Sequence, residues 1–338
     1  MTNLIKKATK RIGRAFGFSE VYDSNKNLVE MISRLSGEVE KLKQQIDGIN
    51  EGVKRLSDDE QYATELLKRT HDITMVPQAR GDELMLQKAN LILLNKIIEV
   101  LNRNKIDYFL DFGILIGIQR HGGFIPWDDD IDIAVPRVSF ERLEELFSEA
   151  FRGTGLHFVN SEIMRVYYKD TPLQVDIFPF DFCSTRLNDA EKHKIKQRVI
   201  RYQEKLRYDW NALFSQECVT VFSHDEMRKL YHEIVCEKDI SFESARKNHS
   251  TIIHSPESPR GERTYIIDYD LIYPLKKAKV LDSEYNIPNN IEELLHLYYG
   301  DYYRYPSDIH HKHEDIDKRK SPDTVAEIRK IVRGGRIG

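Results

Sequence analysis

Residues 111–135 read DFGILIGIQRHGGFIPWDDDIDIAV, and this stretch decides the fold. In Asp130-Ile131-Asp132-Ile133 the two-residue period of an extended strand sends both carboxylates to one face and both isoleucines to the other. Two carboxylates that close repel each other unless a cation sits between them. Mg²⁺ takes one or two protein carboxylates and completes its shell with water and phosphate oxygens, so a strand-borne pair is half of a metal–phosphate site. Upstream, Gly113 follows a predicted strand, and Gly117, Gly122 and Gly123 flank Arg120 and His121. Glycines let a backbone approach a phosphate closely, and Arg offers a forked donor matched to its oxygens. Downstream, Asp176 lies in the predicted strand 173–178, whose apolar neighbours partly bury it. A carboxylate there is able to act as a third metal ligand or to accept the proton of an attacking hydroxyl.

Two plainer readings compete. Asp128, Asp130 and Asp132 mimic the first three ligands of a calcium loop, but that loop needs Gly at its sixth position and Glu at its twelfth, where Ile133 and Ser139 stand. A run of Asp is also often a solvated face; this one is held between Trp127 and Ile131.

Around this centre the pattern is mixed α/β. A helix is predicted over Met85–Arg103 with Leu91, Leu94, Ile97, Ile98 and Leu101 on one stripe. Strands are predicted over 108–112, 131–135, 156–159, 164–168 and 174–178. Further helices are expected near 188–207, 225–236 and 291–298, the last with Asn290 as its cap and Gly300 at its end. Residues 82–338 are thus read as one mixed α/β domain with a helical C-terminal part, the candidate catalytic domain.

The first 80 residues differ. Leu28, Ile32, Leu35, Val39, Leu42, Ile46, Ile49, Val53 and Leu56 follow an unbroken 4-3-4-3 spacing, the seam of a coiled coil. Ile and Val at position a with mostly Leu at d favour a parallel dimer; Gly37, Gly48 and Gly52 weaken the helix and leave a trimer or an antiparallel pairing open. Residues 27–75 are read as an oligomerisation stem giving a homodimer or trimer. Residues 1–18 form a basic amphipathic helix in which Leu4, Ile5, Ala8, Ile12, Ala15 and Phe16 alternate with Lys6, Lys7, Lys10, Arg11 and Arg14, suited to peripheral contact with an anionic membrane. Four of the 34 aromatic residues and one of the 11 prolines precede residue 81, as a narrow helical seam requires.

Bulk composition excludes several classes. Charged residues make up 31 % and the net charge is −4, which argues against nucleic acid as a partner. The longest apolar runs are broken by Asp111, or by Asn95 and Lys96, well short of the ~20 residues a spanning helix needs. No secretory signal is visible, and Cys183, Cys218 and Cys236 form no CxxC pair, which points to a reducing, cytoplasmic compartment. His310, His311 and His313 with Glu314 and Asp315 read as a solvated loop before a metal patch. Trp210 and the Tyr298–Tyr305 cluster read as core before a base- or choline-stacking surface, and Arg329, Lys330, Arg333 and Arg336 as an exposed basic end.

The strings Phe112–Gly117 and Arg120–Ile133, with Val175–Asp181 and Leu297–Tyr302 later, closely resemble the LicD family of phosphotransferases, which is related to the fukutin group. The resemblance covers residues 85–310. It implies a nucleotidyltransferase-like α/β (α+β) fold, a mixed sheet with flanking helices, here preceded by the coiled coil. It implies transfer of a phospho-substituent such as phosphocholine from a CDP-linked donor to a hydroxyl of a surface glycan or lipid-linked glycan, releasing CMP; lipopolysaccharide, capsule and teichoic acid are acceptors of that kind. Carried over, Asp130, Asp132 and Asp176 hold Mg²⁺ or Mn²⁺, with Asp128 and Asp129 in support. Gly113, Ile114, Gly117, Arg120, His121 and Trp127 form the substrate- and phosphate-binding set, and Asp130, Asp132, Asp176 and Arg120 the catalytic set. Ile114 stands where the family has a hydroxyl residue, which leaves phosphate contact there to backbone N–H groups, and Gln119 replaces a common apolar residue. The enzyme is expected at the inner face of the cell membrane. The alternatives are a metal-dependent glycosyltransferase using a nucleotide-sugar and a non-catalytic coiled-coil scaffold.

Overall fold

The computed structural model describes residues 2–15, 18–70, 72–160, 163–183, 186–210, 224–235, 251–256, 264–305 and 321–337. The chain divides into two units, Met1–His71 and Asp72–Gly338. His310, His311, His313, Glu314, Asp315, Cys218 and Cys236 lie outside the described residues, as does the side chain of Trp210.

The first unit holds two helices, α1 (Thr2–Ala15) and α2 (Phe18–Thr70). The expected basic helix and the heptad stretch are both helical, and α2 starts well before the first seam leucine. After it, Asp72 caps a short 3₁₀ turn, Ile73–Met75, by accepting from Thr74 N at 2.9 Å.

In the second unit α3 (Gly81–Arg103) leads to β1 (Phe109–Asp111), α4 (Gly113–His121) and β2 (Ile131–Pro136). Next come α5 (Arg137–Phe140), α6 (Leu143–Ala150), β3 (Leu156–Asn160), β4 (Met164–Tyr168) and β5 (Gln174–Cys183). The helices α7 (Asp189–Trp210) and α8 (His224–Ile234) precede β6 (Thr251–His254), β7 (Tyr265–Asp268) and α9 (Tyr269–Ile272). A hairpin of β8 (Lys276–Val280) and β9 (Ser283–Ile287), then α10 (Ile291–Tyr299) and α11 (Pro322–Gly334), complete it.

Seven strands form one mixed sheet in the order β1-β2-β5-β4-β3, with β6 joining β5 and β7 joining β6. Among the described strands only β2 and β5 run parallel; the other pairs are antiparallel. β5 is central and buried almost throughout, which explains its near-continuous apolar sequence. Its ladder passes from β4 to β6 across Pro179, which has no N–H to donate, so the proline falls where the partner changes.

The predicted stripe of α3 is buried, and Leu86, Ala89, Leu93 and Val100 are buried as well, because α11 packs on a second side of the helix. Arg329, Lys330, Arg333 and Arg336 are exposed as expected, yet α11 is anchored through Ile328 and Ile331. In α10 the Asn290 side chain accepts from Glu293 N and Gly300 ends the helix at φ +68°, the capping read from the sequence. Tyr298 and Tyr302 belong to the main core, while Tyr299 and Tyr303 stay 39 % and 45 % exposed. A smaller core of Cys183, Ile195, Val199, Tyr202, Met227, Tyr231, Val235 and Ile253 joins α7 and α8 to the β5–β6 end of the sheet. The helix α4 and the strands β6 to β9 are additions to the sequence reading: no element is predicted for the glycine-bearing segment of α4, and the late strands are short runs completed only by pairing.

Candidate active site

Asp132 on β2 and Asp176 on β5 are register partners across the one parallel pair of the sheet. The same Asp132 faces Asp111 on β1. Asp130 immediately precedes β2, so the four carboxylates gather at one end of three adjacent strands. Asp132 keeps part of its side chain open to solvent, but the enclosing protein, and then Asp130, Asp176, Asp111 and Asp128, push its pKa well above the usual carboxylate range. Burial raises Asp176 to about 6, with Asp130 adding to the rise and Arg165 opposing it. Carboxylates crowded against one another and out of water call for a hard cation, so the donor set fits Mg²⁺ or Mn²⁺. Oxygens of Asp128, Asp129 and Asp130 also lie within 4.8 Å of one another.

Two polar residues of α3 hold the acidic loop in place. Gln87 Nε2 donates to the carbonyls of Ile125 (3.1 Å) and Asp128 (3.0 Å), and Asn90 Nδ2 donates to that of Asp129 (2.5 Å). Asn90 Oδ1 accepts from Gln174 N at 3.0 Å, so one buried amide ties the loop to the start of β5. Both were missed in the sequence, where the available signal was a polar residue within an otherwise apolar helical surface.

Gly113 opens α4, and a Cβ there would stand 2.7 Å from Asp128 Oδ2, so the missing side chain lets this carboxylate settle over the helix N-terminus. Gly117 has a different neighbour: its Cβ would collide with the backbone of Gly123, Phe124 and Ile125, so glycine is needed there for packing of α4 on the following loop. Ile114 is buried at 2 % exposure and lines the core. Arg120 donates to the Tyr302 carbonyl at 2.8 Å and lies within the field of Tyr303 and Asp128; burial is the larger influence and lowers its pKa. His121 and Trp127 are half-buried with their rings in edge contact, and burial, with Arg120 nearby, keeps His121 below its ordinary pKa. The structure therefore gathers Asp128, Asp130, Asp132, Asp176 and Gly113 around one point, with Arg120 near Asp128.

The structure adds Arg165 and Gln174. Arg165 is the β4 register partner of Asp176, its Nε 3.4 Å from Oδ2, and Gln174 Nε2 donates to Oδ1 at 2.7 Å. Beneath the site Asp111 Oδ1 accepts from Phe112 N at 2.9 Å and Oδ2 lies 2.6 Å from His254 Nε2, both residues being fully buried. Phe112 turns the chain from β1 into α4 at φ +49°, a conformation L-residues rarely adopt.

The mixed sheet thus bears its clustered carboxylates beside a glycine-started helix. Residues 105–221 match the family model described as LicD/FKTN/FKRP, nucleotidyltransferase domain, and the chain carries a LicD family domain. It is 34 % identical over 116 residues to the lipopolysaccharide cholinephosphotransferase LicD of Haemophilus influenzae, covering 33 % of this chain and 41 % of that protein. It is 31 % identical over 93 residues to the human ribitol 5-phosphate transferase FKRP, 25 % of this chain and 19 % of that protein. A 65-residue segment is 44 % identical to an uncharacterized protein of Rickettsia typhi, 19 % of this chain and 21 % of that one. The chain thus spans less than half the length of each of these relatives.

Proposed function

We propose that this chain is a metal-dependent phosphotransferase that moves a phospho-substituent, phosphocholine or a similar polyol or alkanolamine phosphate, from a CDP-linked donor to a glycan hydroxyl. The observation that carries the reading is the pairing of Asp132 with Asp176 across β2 and β5, beside Asp130 and the Gly113 end of α4. The named relatives, one a cholinephosphotransferase and one a ribitol 5-phosphate transferase, support the same class.

In this reading Asp130, Asp132 and Asp176 hold Mg²⁺ or Mn²⁺, which when bound neutralises phosphate charge and the leaving group. Backbone N–H groups at the start of α4 orient the donor's phosphates, and Arg120 offsets their negative charge. Asp176, steadied by Arg165 and Gln174, accepts the proton of the acceptor hydroxyl. The hydroxyl oxygen bonds to phosphorus, the bond from phosphorus to the CMP oxygen breaks, and CMP leaves.

Incubation with Mg²⁺ or Mn²⁺ and a panel of CDP-linked donors, scored for CMP and a phosphodiester product, tests this. Asp130→Asn and Asp132→Asn are expected to keep the fold and abolish turnover. Undiminished activity in excess chelator refutes the metal role, and release of a nucleoside diphosphate with a glycoside product replaces the reading with a glycosyltransferase.

No helix among the described residues is long and apolar enough to cross a membrane. Peripheral contact through α1 is part of the proposal, supported by exposed Leu4, Ile5 and Ile12 in a helix with five basic and no acidic residues. Deleting residues 2–18 should abolish sedimentation with anionic liposomes; unchanged binding refutes it.

A further inference from the structure

The helix α2 runs 53 residues without a break, about 80 Å at 1.5 Å per residue. Its seam residues, Leu28 through Leu56 at 4-3 spacing, remain between 51 % and 70 % exposed. No described element covers them. An apolar stripe of this length along a charged helix is unfavourable in water and demands a partner with the same periodicity.

We propose that the partner is α2 of a second copy of this chain, in a parallel, in-register, two-stranded coiled coil. Covering roughly 100 Å² of side chain at each seam position removes about 900 Å² per copy and about 1,800 Å² in all, within the range of stable specific interfaces. Position a holds Ile32, Val39, Ile46 and Val53, and d holds Leu28, Leu35, Leu42, Ile49 and Leu56; β-branched a with Leu-rich d is the combination that suits two parallel strands. The flanking positions agree. In register, Glu38 at g faces Lys43 at e of the other copy, and the remaining g–e pairs (Met31–Ser36, Gln45–Asn50, Gly52–Ser57) include no like charges. A slip of one heptad in either direction separates Glu38 from Lys43 and leaves end layers of the seam uncovered. An antiparallel pair sets g against g and e against e, and the Glu38–Lys43 contact is lost. Within one helix these two charges have only loose, exposed neighbours, Arg34 at 3.7 Å and Glu40 at 3.9 Å, so both are available at the flank. None of Gly37, Gly48 and Gly52 falls at a or d, and a Cβ at any of them meets open space, so they leave the seam itself intact. Both chains leave such a coil at the same end, and each assembly carries two copies of the site, which strengthens binding to a repetitive acceptor by raising effective concentration. The pairing does not depend on the proposed chemistry.

Sedimentation equilibrium of the full chain tests it. The expected mass is twice 39.7 kDa, falling to a single chain for Val39→Asp/Ile46→Asp, whose catalytic unit keeps its thermal transition. A single-chain mass for the wild type at micromolar concentration, or a threefold mass, overturns the proposal. Orientation is read from Leu28→Cys and Leu56→Cys under mild oxidation, with the wild type as control for its own cysteines. Each variant should form a disulfide with its own kind, located by peptide mapping. Crosslinking only when the two variants are mixed shows an antiparallel pair and overturns the proposed geometry.

Discussion

Asp176→Asn separates what the site does for chemistry from what it does to the fold. Asp176 is 8 % exposed, and burial, reinforced by Asp130 and opposed by Arg165, lifts its pKa from 3.8 to about 6. The folded chain therefore holds this proton more tightly than the unfolded chain does. Between about pH 4 and pH 6 the unfolded state ionises while the folded state does not, so the contribution to stability falls as pH rises through that window and is level above it. A shift of about two pH units at 1.36 kcal/mol each corresponds to about 3 kcal/mol of destabilisation at pH 7.5 in metal-free buffer. Asparagine, neutral at every pH, removes that destabilisation. Because the amide does not reproduce the contacts of a protonated carboxyl, a net gain of about 1–3 kcal/mol is expected, roughly 3–8 °C in Tm for a unit of this size. The assay is thermal unfolding in EDTA at pH 7.5 and at pH 4.5, where the gain should be smaller by about 2 kcal/mol. Excess Mn²⁺ should raise the wild-type Tm and leave the variant unchanged. A variant less stable than wild type at pH 7.5 in EDTA, or a gain equal at both pH values, would refute the reasoning.

Three further expectations follow from neighbouring contacts. Arg165→Gln removes a positive charge 3.4 Å from Asp176; with a unit charge about 6 Å from a divalent ion in a water-like dielectric, Mn²⁺ affinity at pH 8 should rise on the order of tenfold by calorimetric titration, and a fall would mean that Arg165 organises the site instead. Asn90→Ala leaves the Gln174 N–H and the Asp129 carbonyl without their partner, a loss of about 2–4 kcal/mol in urea unfolding, accompanied by weaker metal binding as the acidic loop is released. The two glycines of α4 should differ: Gly113→Ala displaces only the end of the Asp128 side chain, costing about 1 kcal/mol while raising the donor KM, whereas Gly117→Ala meets backbone and should cost about 3 kcal/mol by denaturant titration.

Local chemistry carried much of this protein. The alternation Asp130-Ile131-Asp132-Ile133 and the run Gln174–Phe178 are strands because their periodicity leaves no other way to bury the isoleucines, and Asp132 and Asp176 inherit their shared side from it. The heptad seam and the capping of α10 by Asn290 and Gly300 were legible for the same reason, since each is a rule about residues a few positions apart. Other features were out of reach because they depend on partners distant in the chain. Arg165 counters Asp176 only through the β4–β5 register, His254 meets Asp111 only once β6 has joined β5, and Gln87 and Asn90 matter only because α3 lies under the acidic loop. Gly113 and Gly117 look alike in the sequence, both suited to close approach of a phosphate; tertiary packing distinguishes Gly113, beneath a carboxylate, from Gly117, against backbone. By itself the sequence determined which carboxylates could share a face and which helix needed a partner, because period and spacing are properties of neighbours along the chain. Tertiary structure alone decided how those carboxylates are countered, held and shifted in pKa, because burial and charge pairing are set by groups on different elements, from Arg165 beside Asp176 to His254 beside Asp111, that only folding brings together.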